Sequence, residues 1–158
     1  MSRLRRFAPV AVVAAALLLS GCSTTVSLTP AAQANDPACA AVTVRLPDTV
    51  DGMNRVWTDA QATGAWTDAD GRTTVLLTCG LAPSGPSTLV CESAGGVDWL
   101  IDDSEAPNYR FTTYGRTPAL EVYLDYDVVS ARNVLDALGT AVQQLPASGS
   151  ECTERPSS

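Results

Sequence analysis

Leu120-Glu121-Val122-Tyr123-Leu124-Asp125-Tyr126 decides the fold class. Leu120, Val122, Leu124 and Tyr126 fall on one side, and Glu121, Tyr123 and Asp125 on the other. A period of two with one apolar side is a strand buried on one face and wet on the other. A few residues later the period changes. Ala131, Val134, Leu135, Leu138, Ala141, Val142 and Leu145 follow i, i+3, i+4 spacing, which predicts a helix over 130–145. Asp127 or Ser130 can cap it, and Pro146 stops it. Its apolar stripe needs a surface, and the apolar side of a sheet supplies one. The expected fold class is therefore α+β: an antiparallel sheet with helices packed on one face.

The residues before this stretch extend the sheet. Segment 73–79 is β-branched and apolar, and Ala82-Pro83-Ser84-Gly85-Pro86-Ser87 is a turn. Segment 88–92 reads as a second strand, and Gly95-Gly96 turns into a third over 97–101. Segment 109–114 mixes aromatics with Thr and reads as a fourth, which makes about five strands with 120–126. Short connections favour antiparallel pairing. Farther back, Asp36 can cap a short helix with Pro37 at its first position. Ala38, Ala41, Val42 and Leu46 give that helix an apolar side, and Pro47 ends it. The stretch 50–70, with Trp57 and Trp66, resists assignment. Asp68-Ala69-Asp70-Gly71 reads as a turn rather than a calcium loop. Trp66 stands where an EF-hand has its first ligand, and Leu77 where it has the bidentate Glu.

The N-terminus concerns location. Arg3, Arg5 and Arg6 precede a run of 13 residues, 7–19, that is apolar apart from Pro9. That length fits a secretory signal and is short for a membrane-spanning helix of about 20 residues. Leu19-Ser20-Gly21-Cys22 follows and resembles the lipobox of bacterial lipoproteins. It predicts cleavage before Cys22, diacylglycerol on the Cys22 sulfur and added acyl chains of the palmitate type. One chain holds a protein marginally and two hold it stably. The expected organisation is a lipoprotein signal over 1–21, a flexible Ser/Thr/Ala-rich tether over 22–36, the α+β domain over 37–146, and a tail over 147–158 tied by Cys152. The expected location is the extracytoplasmic face of the cell membrane.

Removing Cys22 leaves Cys39, Cys79, Cys91 and Cys152. An even number in an exported domain reads as two disulfides. No close CxxC pair points to zinc or to a redox thiol couple. Three pairings are possible. If 73–79 and 88–92 form a hairpin, the pairs are Cys79–Cys91 and Cys39–Cys152. Those loops contribute roughly 3 and roughly 5 kcal/mol in the chain-entropy model.

Composition limits the chemistry. The chain has no His, and all ten basic residues are Arg. Without His there is no Ser-His-Asp or Cys-His system and no HExxH zinc site. Without Lys there is no Schiff base and no P-loop lysine. From Cys22 onward seven Arg face 17 acidic residues, a formal charge of −10, which argues against nucleic acid. No cofactor and no metal site is expected.

The chain resembles the DUF3515 family of actinobacterial envelope lipoproteins and exported proteins. The resemblance rests on Cys39, Leu46-Pro47, Val50-Asp51-Gly52 and Val75-Leu76-Leu77-Thr78-Cys79-Gly80. It continues through Gly96-Val97-Asp98-Trp99 and the run from Arg110-Phe111-Thr112-Thr113-Tyr114 to Gly115-Arg116-Thr117-Pro118. It spans roughly 39–145, and departs from the family pattern at 66–72. It implies export and a one-domain architecture, and it supplies no activity.

The candidate binding surface is Asp98, Trp99, Thr112, Thr113 and Arg116. If the third and fourth strands pair, Trp99 and Arg116 approach one edge. An Arg beside an aromatic ring suits stacking and anion recognition. The competing reading puts Trp99 in the core and pairs Arg116 with Asp98. An enzyme would have to work through carboxylates: Asp102, Asp103 and Glu105, or Asp125 and Asp127. A glycosidase needs two carboxyls about 5 to 10 Å apart across a cleft, and clustered loop acids are more often solvated. The functional expectation is a non-catalytic lipoprotein that acts as a binding or assembly module for an envelope protein partner. The alternatives are a small carboxylate-dependent wall glycan hydrolase and a binder of a small anionic ligand.

Overall fold

A computed structural model describes residues 25–153. The expected signal peptide and Cys22 lie outside the described residues. The elements in chain order are β1 (Thr25–Val26), α1 (Pro37–Thr43), β2 (Thr49–Val50), β3 (Met53–Thr58), β4 (Thr63–Thr67) and β5 (Thr73–Leu81). They continue with β6 (Val90–Ala94), β7 (Val97–Glu105), β8 (Asn108–Tyr114), β9 (Ala119–Asp125) and α2 (Ala131–Val142). The fold is α+β, but its sheet has nine strands where about five were expected. The order is β1-β3-β4-β5-β9-β8-β7-β6, with β2 paired to β3. Every pairing is antiparallel except β1 with β3.

The four strands missed by sequence reading are β1 to β4. Gly64 and Ala65 dilute the β-branched signal of β4. A legible signal did exist at β2–β3. Asp51-Gly52 is a two-residue loop between Val50 and Met53, and both of its residues have positive φ, 44° and 82°. Asp-Gly is a favoured pair for such a hairpin. The loop also serves the distant helix. The Asp51 carboxylate accepts the Ser130 N–H at 2.7 Å and the Asn133 side-chain amide at 2.8 Å. It therefore supports the N-terminus of α2, where Ser130 is the N-cap.

Both helices cover one face of the sheet. Val42 of α1 and Val134, Leu138 and Val142 of α2 pack with Val75, Leu77, Trp99, Phe111, Leu120, Val122 and Leu124. The stripe read from sequence is the buried side of α2. Close approach fixes that helix against the β6–β7 turn. A Cβ on Gly139 would lie 2.3 Å from the Gly95 carbonyl oxygen. Gly95 N–H donates to Asp136 at 2.7 Å, and the Gln143 side chain donates to Gly95 O at 2.8 Å.

The disulfides correct the expected pairing. They join Cys39 to Cys79 and Cys91 to Cys152, with Cα separations of 5.6 and 5.5 Å. The hairpin premise fails because β9, β8 and β7 stand between β5 and β6. Four strand spacings are about 19 Å, and an eight-residue connection can reach about 26 Å, so 82–89 crosses the sheet end instead of turning back. The two cysteines also face opposite ways. Cys79 is paired with core Leu120, while Cys91 belongs to the row Cys91, Leu100, Thr112, Glu121 on the other face. Cys39–Cys79 thus ties α1 to the core, and Cys91–Cys152 ties the tail to the outer strand. The tail also donates Ser148 N–H to Gly115 O at 2.8 Å.

The tether expected over 22–36 is not free in its described part. Thr25 and Val26 pair with Trp57 and Thr58. Gln33 N–H donates to Gly80 O at 2.9 Å, and Ala34 joins the core. Gly80, with φ of 105°, leaves room for this crossing, since a Cβ there would meet the Gln33 and Ala34 backbone at 2.5 Å. The Ser/Thr/Ala composition suggested a linker, but small residues also suit a strap laid over a sheet.

Candidate functional site

Strand alternation separates the residues that the sequence grouped. Asp98 and Trp99 are consecutive on β7, so their side chains leave opposite faces. Trp99 is fully buried on the helix side, and its indole N–H donates to Ala94 O at 3.0 Å. Thr113 is its partner in β8 and is also buried, its hydroxyl oxygen accepting the Leu120 N–H at 2.9 Å. The expected surface around Trp99 and Arg116 therefore does not form. Trp99 and Thr113 are core residues. Thr112 lies half-buried on the bare face, between Leu100 and Glu121.

Asp98 and Arg116 share a recess of about 300 Å³ with Gly96, Tyr114 and Glu151. Each has its own structural partner there. Asp98 accepts the Cys152 N–H at 2.7 Å and a hydrogen bond from the Ser93 hydroxyl. Arg116 donates to Leu145 O at 2.9 Å, and its backbone bridges to Ala147. Among the described residues the salt bridges do not include an Asp98–Arg116 pair. The Asp98 side chain and the Arg116 backbone hold down the C-terminal tail, and the Arg116 side chain holds the end of the segment after α2.

The bare face has a different centre, Arg110. Its guanidinium donates to Glu105 at 2.9 and 3.2 Å and to Glu121 at 3.1 Å, and lies 4.6 Å from the centre of the Tyr123 ring. The Tyr123 hydroxyl donates to Glu105 at 3.1 Å. Hydrogen bonds from Arg110, then from Tyr123, hold the Glu105 carboxyl below its ordinary range. Glu105 in turn raises Arg110, and the Tyr123 phenol is pushed up, first by desolvation and then by Glu105. Sequence reading missed Arg110 as a centre, although its signal was present. In the pairing of 109–114 with 120–126, the polar sides of both strands coincide on Arg110, Thr112, Glu121 and Tyr123.

The remaining candidate acids lie near strand ends or in turns, each bonded locally or exposed. Asp102 accepts the Ser104 N–H at 2.9 Å, and the Ser104 hydroxyl and backbone push its pKa down. Asp103 is exposed. Asp125 accepts the Asp127 N–H at 3.1 Å in the turn before α2. Asp68 accepts the backbone N–H groups of Asp70 and Arg72 at 3.0 and 2.8 Å, which bears out the turn reading of 68–71. Among the described residues no group of three or more His, Cys, Asp or Glu is arranged to hold a metal ion.

A second surface lies at the opposite end of the sheet. Trp57 of β3 is 76 % exposed beside a groove of about 520 Å³ lined by Thr43, Asp48, Arg55 and Ala60. Arg55 is occupied, donating to Leu46 O at 3.0 Å. Val44, next to Thr43, is 77 % exposed. Asp59 closes this end by accepting the Ser27 hydroxyl at 2.6 Å and the Leu28 N–H at 2.9 Å, and those bonds lower its pKa.

Among the described residues no helix is long and apolar enough to cross a membrane. Comparison with curated proteins and with solved structures returned no match. The DUF3515 family model, described as a protein of unknown function, matches residues 7–149, which take in the apolar N-terminal run and the whole domain, and the chain belongs to that family.

Proposed function

We propose that this chain is a non-catalytic lipoprotein of the cell envelope. It is held on the outer face of the cytoplasmic membrane through acylated Cys22, and it acts as a binding or assembly module for an envelope protein. The lipobox Leu19-Ser20-Gly21-Cys22 supports the anchor, and two disulfides suit an oxidising compartment. The observation that carries the non-catalytic reading is the state of the bare face. A general acid at neutral pH needs a carboxyl whose pKa is raised. Glu105 is pushed the other way, and it shares Arg110 with Glu121. A carboxylate neutralised by a guanidinium is a weak base and a poor nucleophile. The cluster is better suited to making a flat polar face for a partner than to cleaving a glycan.

Two experiments test this reading. Cys22→Ser should abolish acylation and release the protein from membranes. The acylated protein incubated with purified wall glycan should release no soluble fragments, with or without Glu105→Gln and Glu121→Gln. Glycan cleavage that disappears in either variant would establish the hydrolase alternative instead.

A further inference from the structure

We propose that the edge formed by β1 and β3 is the membrane-facing side of the domain, with Trp57 seated in the headgroup layer of the bilayer to which Cys22 is anchored. This inference rests on the acylation of Cys22 proposed above, and adds to it an orientation and a contact residue.

Chain reach carries the argument. Thr25 is the register partner of Trp57 in the parallel β1–β3 pair. Three residue steps separate Cys22 from Thr25, and they span at most about 11 Å. Neighbouring strands lie about 4.8 Å apart. The Trp57 backbone is therefore within about 16 Å of the Cys22 backbone, whatever path those three steps take. The headgroup layer is about 5–8 Å thick on each side of the hydrocarbon core, and an indole reaches several ångströms beyond its own backbone. An acylated Cys22 thus leaves Trp57 within reach of that layer.

The domain cannot swing this edge freely away. The strap is fastened where it enters, by the β1–β3 pair and by Asp59 holding Ser27 and Leu28. The side chains suit the place. Among the described residues, Trp57 and Val44 are the two most exposed of the large hydrophobic residues. An indole is apolar with one N–H donor, which is why Trp collects at membrane interfaces. The mature chain carries a formal charge of −10, so a contact made by an indole rather than by a basic patch should hold on neutral lipid.

The protein provides its own probe. It has three Trp, and Trp66 and Trp99 are fully buried. Acylated full-length protein extracted from membranes is reconstituted into phosphatidylcholine vesicles carrying doxyl-labelled lipids, and its acylation is verified by mass on the same sample. Doxyl groups near the headgroup should quench part of the Trp emission, and acrylamide should quench it less than in detergent-free Cys22→Ser protein. Trp57→Phe should remove the lipid-dependent quenching and leave the emission of Trp66 and Trp99 unchanged, which also verifies folding. Acylated protein whose Trp57 stays open to acrylamide and untouched by doxyl lipid overturns the inference and leaves the anchor standing. Trp57 shielded without lipid quenching, together with cross-linking between copies, means a second copy covers this edge and also overturns it. A sample with no acyl group on Cys22 takes down both readings.

Discussion

Trp57 and Trp99 occupy opposite ends of one sheet and opposite environments. Trp99 sits on β7 beneath α2, with no exposed surface and its N–H bonded to Ala94 O. Trp57 sits on β3, is 76 % exposed, and stands beside the strand where the described chain enters the fold. In the sequence Trp99 follows a Gly-Gly turn and lies near an Arg, which suggests a binding residue. The sequence suggests no role for Trp57. Nearness to a turn does not decide exposure. Strand parity and the helix above decide it. An aromatic one residue away from Asp98 is core, and an aromatic on an outer strand beyond the helices is free.

The comparison breaks most directly at Trp99. Trp99→Ala should destabilise the domain by about 3–5 kcal/mol, because it empties a fully enclosed site. Chemical denaturation measures this, and a loss below about 1 kcal/mol would mean that Trp99 is not the core residue described here.

The next effect tests how the two ends are joined. Asp51 lies in the β2–β3 hairpin, next to the strand of Trp57, and holds the start of α2, which covers Trp99. Asp51→Ala removes those bonds and places Ala at a positive φ of 44°. The expected loss is about 1–2 kcal/mol, in the range of a lost helix cap. Amide exchange should rise first at 130–134. Exchange unchanged there would show that α2 does not depend on the hairpin.

Trp57→Ala should leave stability within about 0.5 kcal/mol, as surface changes do. Denaturation midpoints of the Trp57 and Trp99 variants therefore sharpen the contrast within one measurement. A midpoint for Trp57→Ala as low as that of Trp99→Ala would erase it.

The smallest effect is a local pH response at the Trp57 end. The pKa of Asp59 is lowered by the Ser27 hydroxyl and the Leu28 N–H. A depressed carboxyl pKa contributes stability that is present above its unfolded value, about 3.9, and is lost as pH falls through the lower folded value. Below about pH 4 the Leu28 amide should exchange faster, while amides in β7 to β9 stay protected. Asp59→Asn should weaken this pH step, because the amide no longer ionises. A step of equal size in the variant would assign it to another group.

Legibility in the sequence followed the same division. The end around β7, β8, β9 and α2 was readable because Leu120, Val122 and Leu124 alternate strictly and α2 carries a complete stripe. Pro37 behind Asp36 marks the start of α1, which ends at Thr43, short of Pro47. The end around β1 to β4 was not readable. Gly64 and Ala65 carry little strand signal, and β1 and β2 have two residues each. The disulfide pairing failed for a topological reason. Cys79 and Cys91 are close in sequence, but three strands that follow both of them in the chain come between them. No local pattern encodes that insertion. Arg110 was legible in principle from the polar sides of two strands, yet a charged residue on a half-buried strand reads as surface until its partners are placed.

The proposed arrangement is a disulfide-tied domain anchored at Cys22 on the side of Trp57. The most direct single test is the intact mass of the protein extracted from membranes, before and after reduction. The predicted result is a chain from Cys22 to Ser158 carrying diacylglycerol and further acyl mass, with four hydrogens gained on reduction. A chain beginning at any other residue, or one beginning at Cys22 without acyl mass, would rule out the proposed anchor.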